Sequence, residues 1–439
     1  MDYKTSEVLE FIEENDVKFI KLAFCDIFGN QKNITIMPTE LKRAFYEGVS
    51  FDASAVTGFM KVEESDLLLF PEANTMYLLP WRPQHGRVVR FFCNIKHPDG
   101  RDFEGDCRNI LKEVIKDSKQ KGFTCKIGCE SEFYLFEQDE FGNPTMIPYD
   151  KGNYCDIYPN DRCENIRRDI CLSLEEMGIK PTSSHHEQGP GQNEIDYEYS
   201  NALSAADNLI SFRSLVKTKA SENGLFASFM PRPLETECGS GLHINISLYK
   251  DNKNIFEDKN DKQYKYAESF ISGILNRIEE ITLFLNSSTN SYKRLGKDKA
   301  PKYITWSKEN RSQLIRIPAS KGDRCRMELR SPDSSCNPYI AFALLIKAGI
   351  EGIEKNLQLC NPHNINLFNA NDNKVKNLKT LPNNLNEAIN NALNSEFIKT
   401  VLPQKTINNY IDDKKQEWDI YNSITDKFKA EKELYFEKF

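Results

Sequence analysis

Arg324-Cys-Arg-Met-Glu-Leu-Arg330 alternates charged and apolar side chains. That is the period of a β-strand with two unlike faces. Arg326, Glu328 and Arg330 share one face; Cys325, Met327 and Leu329 share the other. The second face suits a core. The first sets two guanidinium groups about a carboxylate, which is costly to bury unless the charges are answered. Alone, the stretch reads equally well as an exposed edge strand with a local ion pair. Three further stretches of the same design, bearing complementary charges, favour a shared site on a sheet.

One is Gly-Cys-Glu-Ser-Glu-Phe-Tyr-Leu-Phe at 128–136, inside an expected strand over 123–137. Period two sets Glu130 and Glu132 side by side, where like charges repel. A divalent cation neutralises such a pair directly, because hard ions take oxygen ligands. A solvated strand face is the plain alternative, and the apolar residues Phe133, Tyr134, Leu135 and Phe136 argue against it. Another is His185-His-Glu-Gln-Gly-Pro-Gly-Gln-Asn-Glu-Ile-Asp196, whose Gly-Pro-Gly turn can return the chain so that Glu187 and Glu194 point into one place. The last is Glu237-Cys-Gly-Ser-Gly-Leu-His-Ile-Asn-Ile-Ser247. Its glycines let backbone N–H groups approach a ligand closely, and His243, Asn245 and Ser247 fall on one face.

Five glutamates and one histidine on these stretches make a donor set for two or three Mg2+ or Mn2+ ions. Zinc fits less well, with no thiolate set. Cations lie upstream of Arg326: Arg294 in Asn290-Ser-Tyr-Lys-Arg-Leu295, and Arg311 and Arg316 in Asn310-Arg-Ser-Gln-Leu-Ile-Arg-Ile-Pro318. The planar arginine fork binds carboxylates and phosphates bidentately. Arginines beside clustered carboxylates suggest nucleotide phosphates bridged by metal, hence phosphoryl transfer. No Walker A sequence is present. The residues themselves lead to a metal- and nucleotide-dependent transferase or ligase and no further.

The rest of the chain sets the frame. A length of 439 residues allows two or three domains. A net charge of -7 argues against nucleic-acid binding. Residues 1–7 hold no apolar targeting segment, and the longest apolar run, 339–353, is interrupted by Lys347 and Glu351 and too short for a bilayer. Twelve cysteines without a C-x-x-C pair read as free thiols in a reducing cytoplasm. Residues 1–100 look mostly like sheet, with Asp52 in a loop-like stretch at 51–56; residues 101–439 mix strands with long helices. Strands often follow one another without a helix between, which is an α+β pattern. The tail from about 405 reads as a charged amphipathic helix set.

In order and spacing, these motifs resemble class I glutamine synthetase over nearly the whole chain. The specific pieces are Glu-Ser-Glu at 130–132, Gly-Gln-Asn-Glu at 191–194, Gly-Ser-Gly-Leu-His at 239–243, Asn-Ser-Tyr-Lys-Arg-Leu at 290–295, Asn-Arg-Ser at 310–312 and Arg-Ser-Pro-Asp at 330–333. The resemblance implies an N-terminal β-grasp domain over 1–100 and, over 101–439, a catalytic domain with a curved antiparallel sheet flanked by helices. It implies ATP-dependent ligation of ammonia to glutamate through γ-glutamyl phosphate. It also implies a dodecamer of two hexameric rings, each site completed by Asp52 of a neighbour, which would bind ammonium and help remove its proton. By position, Glu132, Glu187 and Glu194 would hold one metal, and Glu130, His243 and Glu328 a second. Arg294, Arg330 and Gly239 would hold glutamate. Arg311, Arg316 and Arg326 would hold phosphates, and Asn245 and Ser247 the nucleotide.

Two departures stand out. The family usually has a flap glutamate before the Ala-Pro that follows the Tyr-Lys-Arg-Leu segment, and this chain has Lys299, with Asp298 one position away as a candidate substitute. The family's Asn before Gly-Ser-Gly is Cys238 here. They leave two other expectations standing: a γ-glutamyl ligase for another amine, or a catalytically weak regulatory paralogue.

Overall fold

The structure is a computed structural model that describes residues 4–82, 85–257 and 262–439. Of the N-terminal segment read above for targeting, residues 1–3 lie outside it.

The first sheet is built from β1 (Val17–Cys25), β2 (Gln31–Ile36), β3 (Val49–Asp52), β4 (Asp66–Pro71), β5 (Tyr77–Leu78) and β6 (Arg87–Lys96). Its order is β2-β1-β6-β4-β3, with β5 on β6, and β1 runs parallel to β6 while the other pairs are antiparallel. Ile20, Leu22, Leu67, Leu69 and Phe91 are fully buried along it. Helices α1 (Thr5–Glu14) and α2 (Pro38–Glu47) accompany it. Pro38 starts α2 at no hydrogen-bonding cost, and Gly48 ends it at φ 75°. The stretch at 51–56 is less loop-like than expected: Phe51 and Asp52 end β3, and a 3-10 turn follows.

The second sheet is centred on a 15-residue strand, β7 (Thr124–Gln138). Around it come β8 (Pro144–Pro148), β9 (Pro181–His186), β10 (Gln192–Tyr197), β11 (Ser200–Asn201), β12 (Leu225–Ser228), β13 (Leu242–Lys250), β14 (Lys253–Asn254), β15 (Trp306–Lys308), β16 (Ile315–Ile317) and β17 (Met327–Leu329). The main path is β15-β16-β17-β13-β7-β10-β9. It is antiparallel except at β15–β16. The expected strand over 325–330 is shorter, because a 3-10 turn at Gly322–Arg324 holds the N–H of Cys325 on the carbonyl of Gly322.

Helices α3 (Cys107–Gln120), α4 (Glu164–Glu176), α5 (Ala202–Glu222), α6 (Tyr264–Leu285), α7 (Ser291–Arg294) and α8 (Pro338–Glu354) pack about this sheet. Asp106 caps α3 by accepting from the backbone of Arg108 and Asn109. The apolar run at 339–353 is α8, buried in the core and not a membrane span. Among the described residues no helix is long and apolar enough to cross a membrane. α6 and α8 touch backbone to backbone: a Cβ on Gly273 would lie 2.2 Å from the carbonyl of Ala348. The tail forms two helices, Gln404–Ser423 and Lys427–Tyr435.

Candidate active site

Sheet register gathers the charged faces into one row. Asp196 and Glu194 on β10 lie opposite Glu130 and Glu132 on β7. Glu130 lies opposite His243 on β13. Asn245 lies opposite Glu328 on β17, and Glu328 opposite Arg316 on β16. Paired residues point to the same face; Glu130, Glu132, Glu194, Asp196, His243 and Arg316 line one cavity of about 500 Å3, and Asn245 and Glu328 are bonded to Glu130 and Arg316 at its edge.

Three glycine positions make the convergence possible. Gly191 sits at φ +69°, and a Cβ there would lie 2.7 Å from the carbonyl of Leu135. The Gly-Pro-Gly turn therefore folds flat on β7 and brings Glu187 back beside Glu194. Gly239 and Gly241 leave room for Arg294, whose guanidinium a Cβ on Gly241 would meet at 2.5 Å.

The ligand atoms of Glu130, His243 and Glu328 lie within 4.8 Å of one another, as do those of Glu132, Glu194 and His243, and of His185, Glu187 and Glu194. Glu130, Glu194 and Asp196 form a further set. Asp196 was missed as a candidate, although its signal was visible: it stands two residues beyond Glu194 on the same strand face.

The electrostatics are uneven. For Glu130, burial pushes the carboxyl pKa up, but the hydrogen bond and charge of His243 overrule it and lower the value to about 2. Glu328 is also lowered, burial being outweighed by His243 and Arg330. It bonds Arg330 Nη1 at 2.7 Å and is paired with Arg316. Glu194 is driven the other way, raised well above the usual range by burial and then by Asp196, Glu132 and Glu130. Glu132 is raised by burial too. Among the described ion pairs, Glu132, Glu194 and Asp196 have no lysine or arginine partner. Crowded carboxylates with one imidazole fit hard divalent cations.

Arginines close the other side. Arg294 is fixed by the carbonyls of Ser331 (2.8 Å), Pro332 (3.2 Å) and Arg330 (3.2 Å). Among the described residues, the buried Nε of Arg330 has no hydrogen-bond partner. Arg326 donates to Asn245 Oδ1 at 2.7 Å, and Asn245 donates to Glu130 at 2.9 Å. Arg311 and Gly239 also line the cavity.

Two expected residues are not brought to the cavity. The Ser247 hydroxyl is buried and committed to the carbonyl of Cys325 at 3.0 Å. Asp52 is exposed on the first sheet, its carboxyl lowered by hydrogen bonds from Ser54. At the cavity mouth Lys299 Nζ stands 5.4 Å over the Tyr154 ring, which packs edge-on to His185. Asp298 lines the cavity but pairs with Arg232 at 2.8 Å. Cys238 rests against Gln188 Oε1 at 3.5 Å, and burial pushes its thiol up to about 11.

Known proteins show the same layout. The family model for the glutamine synthetase β-grasp domain matches residues 16–98, and that for the glutamine synthetase catalytic domain matches residues 104–433. A glutamine synthetase of Clostridium saccharobutylicum is 45% identical over 96% of each chain, and one of Methanosarcina mazei is 44% identical over 95% of each. Among solved structures, a GmaS/ADP complex superposes with a TM-score of 0.87 at 27% identity, covering 99% of this chain and 100% of that one. A cryoEM structure of Plasmodium falciparum glutamine synthetase gives 0.85 at 26%, covering 96% and 97%. Fold and site thus define an α+β ligase with acidic groups able to hold metal. The β-grasp sheet and the curled sheet behind it carry that description through the whole described chain. The chain belongs to the glutamine synthetase family.

Proposed function

We propose that the protein joins ammonia to L-glutamate with ATP, giving L-glutamine, ADP and phosphate. The observation that carries this is the cross-strand row of carboxylates, too crowded to ionise together without cations and bordered by arginines. Mg2+ or Mn2+, two or three per site, would be held by Glu132, Glu187 and Glu194 and by Glu130, His243 and Glu328. Such ions neutralise phosphate charge and polarise the transferred group. Arg330, with its idle Nε, and Arg294 would seat the glutamate carboxylate beside the backbone of Gly239. Arg311, Arg316 and Arg326 would face the ATP phosphates, with Asn245 holding Arg326 in place. Ser247 would contribute only as part of the strand.

The γ-carboxylate oxygen takes the terminal phosphoryl group and ADP leaves. The amine nitrogen then attacks the acyl carbon of γ-glutamyl phosphate, phosphate departs, and the amine's extra proton goes to a base. Asp52 of a neighbouring subunit is that base in this reading, which requires the ring-shaped dodecamer. Its exposure on the first sheet, away from its own chain's cavity, supports this role. We place the division into domains at residue 100 and the protein in the cytoplasm. Relatives of full length named glutamine synthetase favour ammonia over another amine or a regulatory paralogue.

Purified protein given glutamate, ATP, Mg2+ and ammonium is expected to release phosphate and form glutamine in equal amounts. Phosphate release only with a different amine, or none above background, would overturn the proposal. Light scattering on the same sample is expected to give twelve chains.

A further inference from the structure

A second cavity, of about 240 Å3, lies where the β1–β2 turn meets α5 and the segment before α8. Its walls include Phe28, Ile210 and Phe229, and its charged lining side chains, set among neutral polar ones, are all cationic. Arg213 and Lys217 stand one turn apart on α5, a spacing at which like charges repel. Lys438 stands at the rim, and no acidic side chain lines the space among the described residues.

Among the described residues, two of these cations have no carboxylate partner. Arg213 gives Nη1 to the carbonyl of Cys336 at 3.1 Å, beside that residue's thiol. Among the described residues its Nε and Nη2 are buried with no nitrogen or oxygen partner, the Cys336 thiol being the neighbouring group. The described contact of Lys217 is with the carbonyl of Lys438 at 3.3 Å, and burial followed by the Arg213 charge pushes its ammonium down to about 8. Lys438 alone has a carboxylate, Glu417 at 2.7 Å. A desolvated guanidinium with idle donors is costly, and the shape around it is a pocket with an apolar floor.

We propose that this cavity binds a small organic carboxylate, its head between Arg213 and Lys217 and its short apolar body against Phe28 and Phe229. The arginine fork suits a carboxylate, and the aromatic walls favour an organic acid over inorganic phosphate. The cavity stands back to back with the acidic row: Ser334 on its lining bonds Ser131 at 2.8 Å, and Ser131 sits between Glu130 and Glu132. Binding here needs neither metal nor nucleotide and does not depend on the reaction proposed above.

The test is calorimetric titration of the full-length protein in EDTA with isobutyrate, with isobutyramide and inorganic phosphate as parallel arms. Isobutyrate is expected to bind saturably, and the other two at least about tenfold more weakly. Arg213→Gln and Lys217→Met are each expected to weaken isobutyrate about tenfold or more, and Arg330→Gln to leave it unchanged. If Arg213→Gln does not fold, Lys217→Met decides. Absence of saturable binding, equal binding of isobutyramide, or tighter binding of phosphate overturns the proposal. So does loss of binding in Arg330→Gln with retention in Lys217→Met, which would move the ligand to the acidic cavity.

Discussion

Two of the regions where this molecule buries charge are built on opposite terms. Where the first sheet meets α3 and α5, Arg108 forks Asp207 with two 2.9 Å bonds and reaches Glu72 at 2.5 Å. Lys112 completes Glu72, and the Tyr339 hydroxyl donates to Asp207 at 2.7 Å. Two cations meet two anions, and each carboxylate is satisfied. In the acidic row, by contrast, the strong pairs converge on Glu328, while Glu132, Glu194 and Asp196 repel one another. The first network answers both of its carboxylates and holds elements together. The second is incomplete, and its carboxylates lie close enough together to hold a metal ion between them.

Breaking the closed network gives the largest effect. Removing one partner of a buried pair strands the other charge. Arg108→Met is expected to cost about 3–5 kcal/mol of stability by urea unfolding, with the divalent-ion affinity of the surviving folded protein unchanged. A loss below about 1 kcal/mol would mean that water already reaches Asp207 and that the two regions do not differ as described.

Glu194→Gln should do the reverse. It removes a crowded like charge, so the metal-free protein is expected to hold or gain stability. Mn2+ affinity, measured by calorimetry, is expected to fall by about 100-fold, the upper end for disturbing a metal site's supporting groups. Wild-type protein should gain about 2.7 kcal/mol of stability with Mn2+ at a hundred times its Kd, and the variant far less at that concentration. A variant that unfolds easily yet binds Mn2+ normally would reassign Glu194 to structure.

Lys299 tests the edge of the open region. It adds a cation at the mouth through which a cationic substrate would enter, and a ring contact of this kind contributes about 0.5–1 kcal/mol. Lys299→Glu is expected to lower the KM for ammonium a few-fold, with a smaller change in the KM for ATP. Equal changes in both would show that Lys299 acts on the whole cavity and not on the amine. Asp298 is not expected to substitute, because Arg232 already holds it.

The open region was readable in the sequence and the closed one was not. Glu130, Glu132, Glu194, His243 and Glu328 each sit on a strand whose period-two pattern fixes a face, and charge on a face otherwise suited to burial is conspicuous. Arg108 and Asp207 are 99 residues apart on two helices, and nothing local distinguishes them from solvated helix charges. Period two also says nothing about how far along a strand a cavity extends. Ser247 shares a face with His243 but lies roughly 13 Å further along β13, beyond the cavity. Asp52 lies outside its own chain's cavity for a different reason: the resemblance assigns it to a neighbour's site, which no pattern within one chain reveals.

The smallest effect belongs to a closed pair that is only half shielded. Arg277 on α6 forks Glu351 on α8 with two 2.8 Å bonds, and Lys355 also reaches Glu351. The hydrogen bond from Arg277 comes first among the causes that lower the Glu351 carboxyl from 4.5 to about 2, against a counteracting push from burial. A carboxyl lowered on folding contributes stability above its unfolded pKa and loses it as pH falls through the folded value. The contribution is therefore expected to be present above pH 4.5 and to fade towards about 2. Solvent screening keeps it to about 0.2–1 kcal/mol. A double-mutant cycle of Arg277→Gln and Glu351→Gln, run at pH 7 and again near 3, isolates the pair. A coupling as large as that of Arg108, or one that does not shrink in acid, would show that burial and not closure of charge separates the two regions.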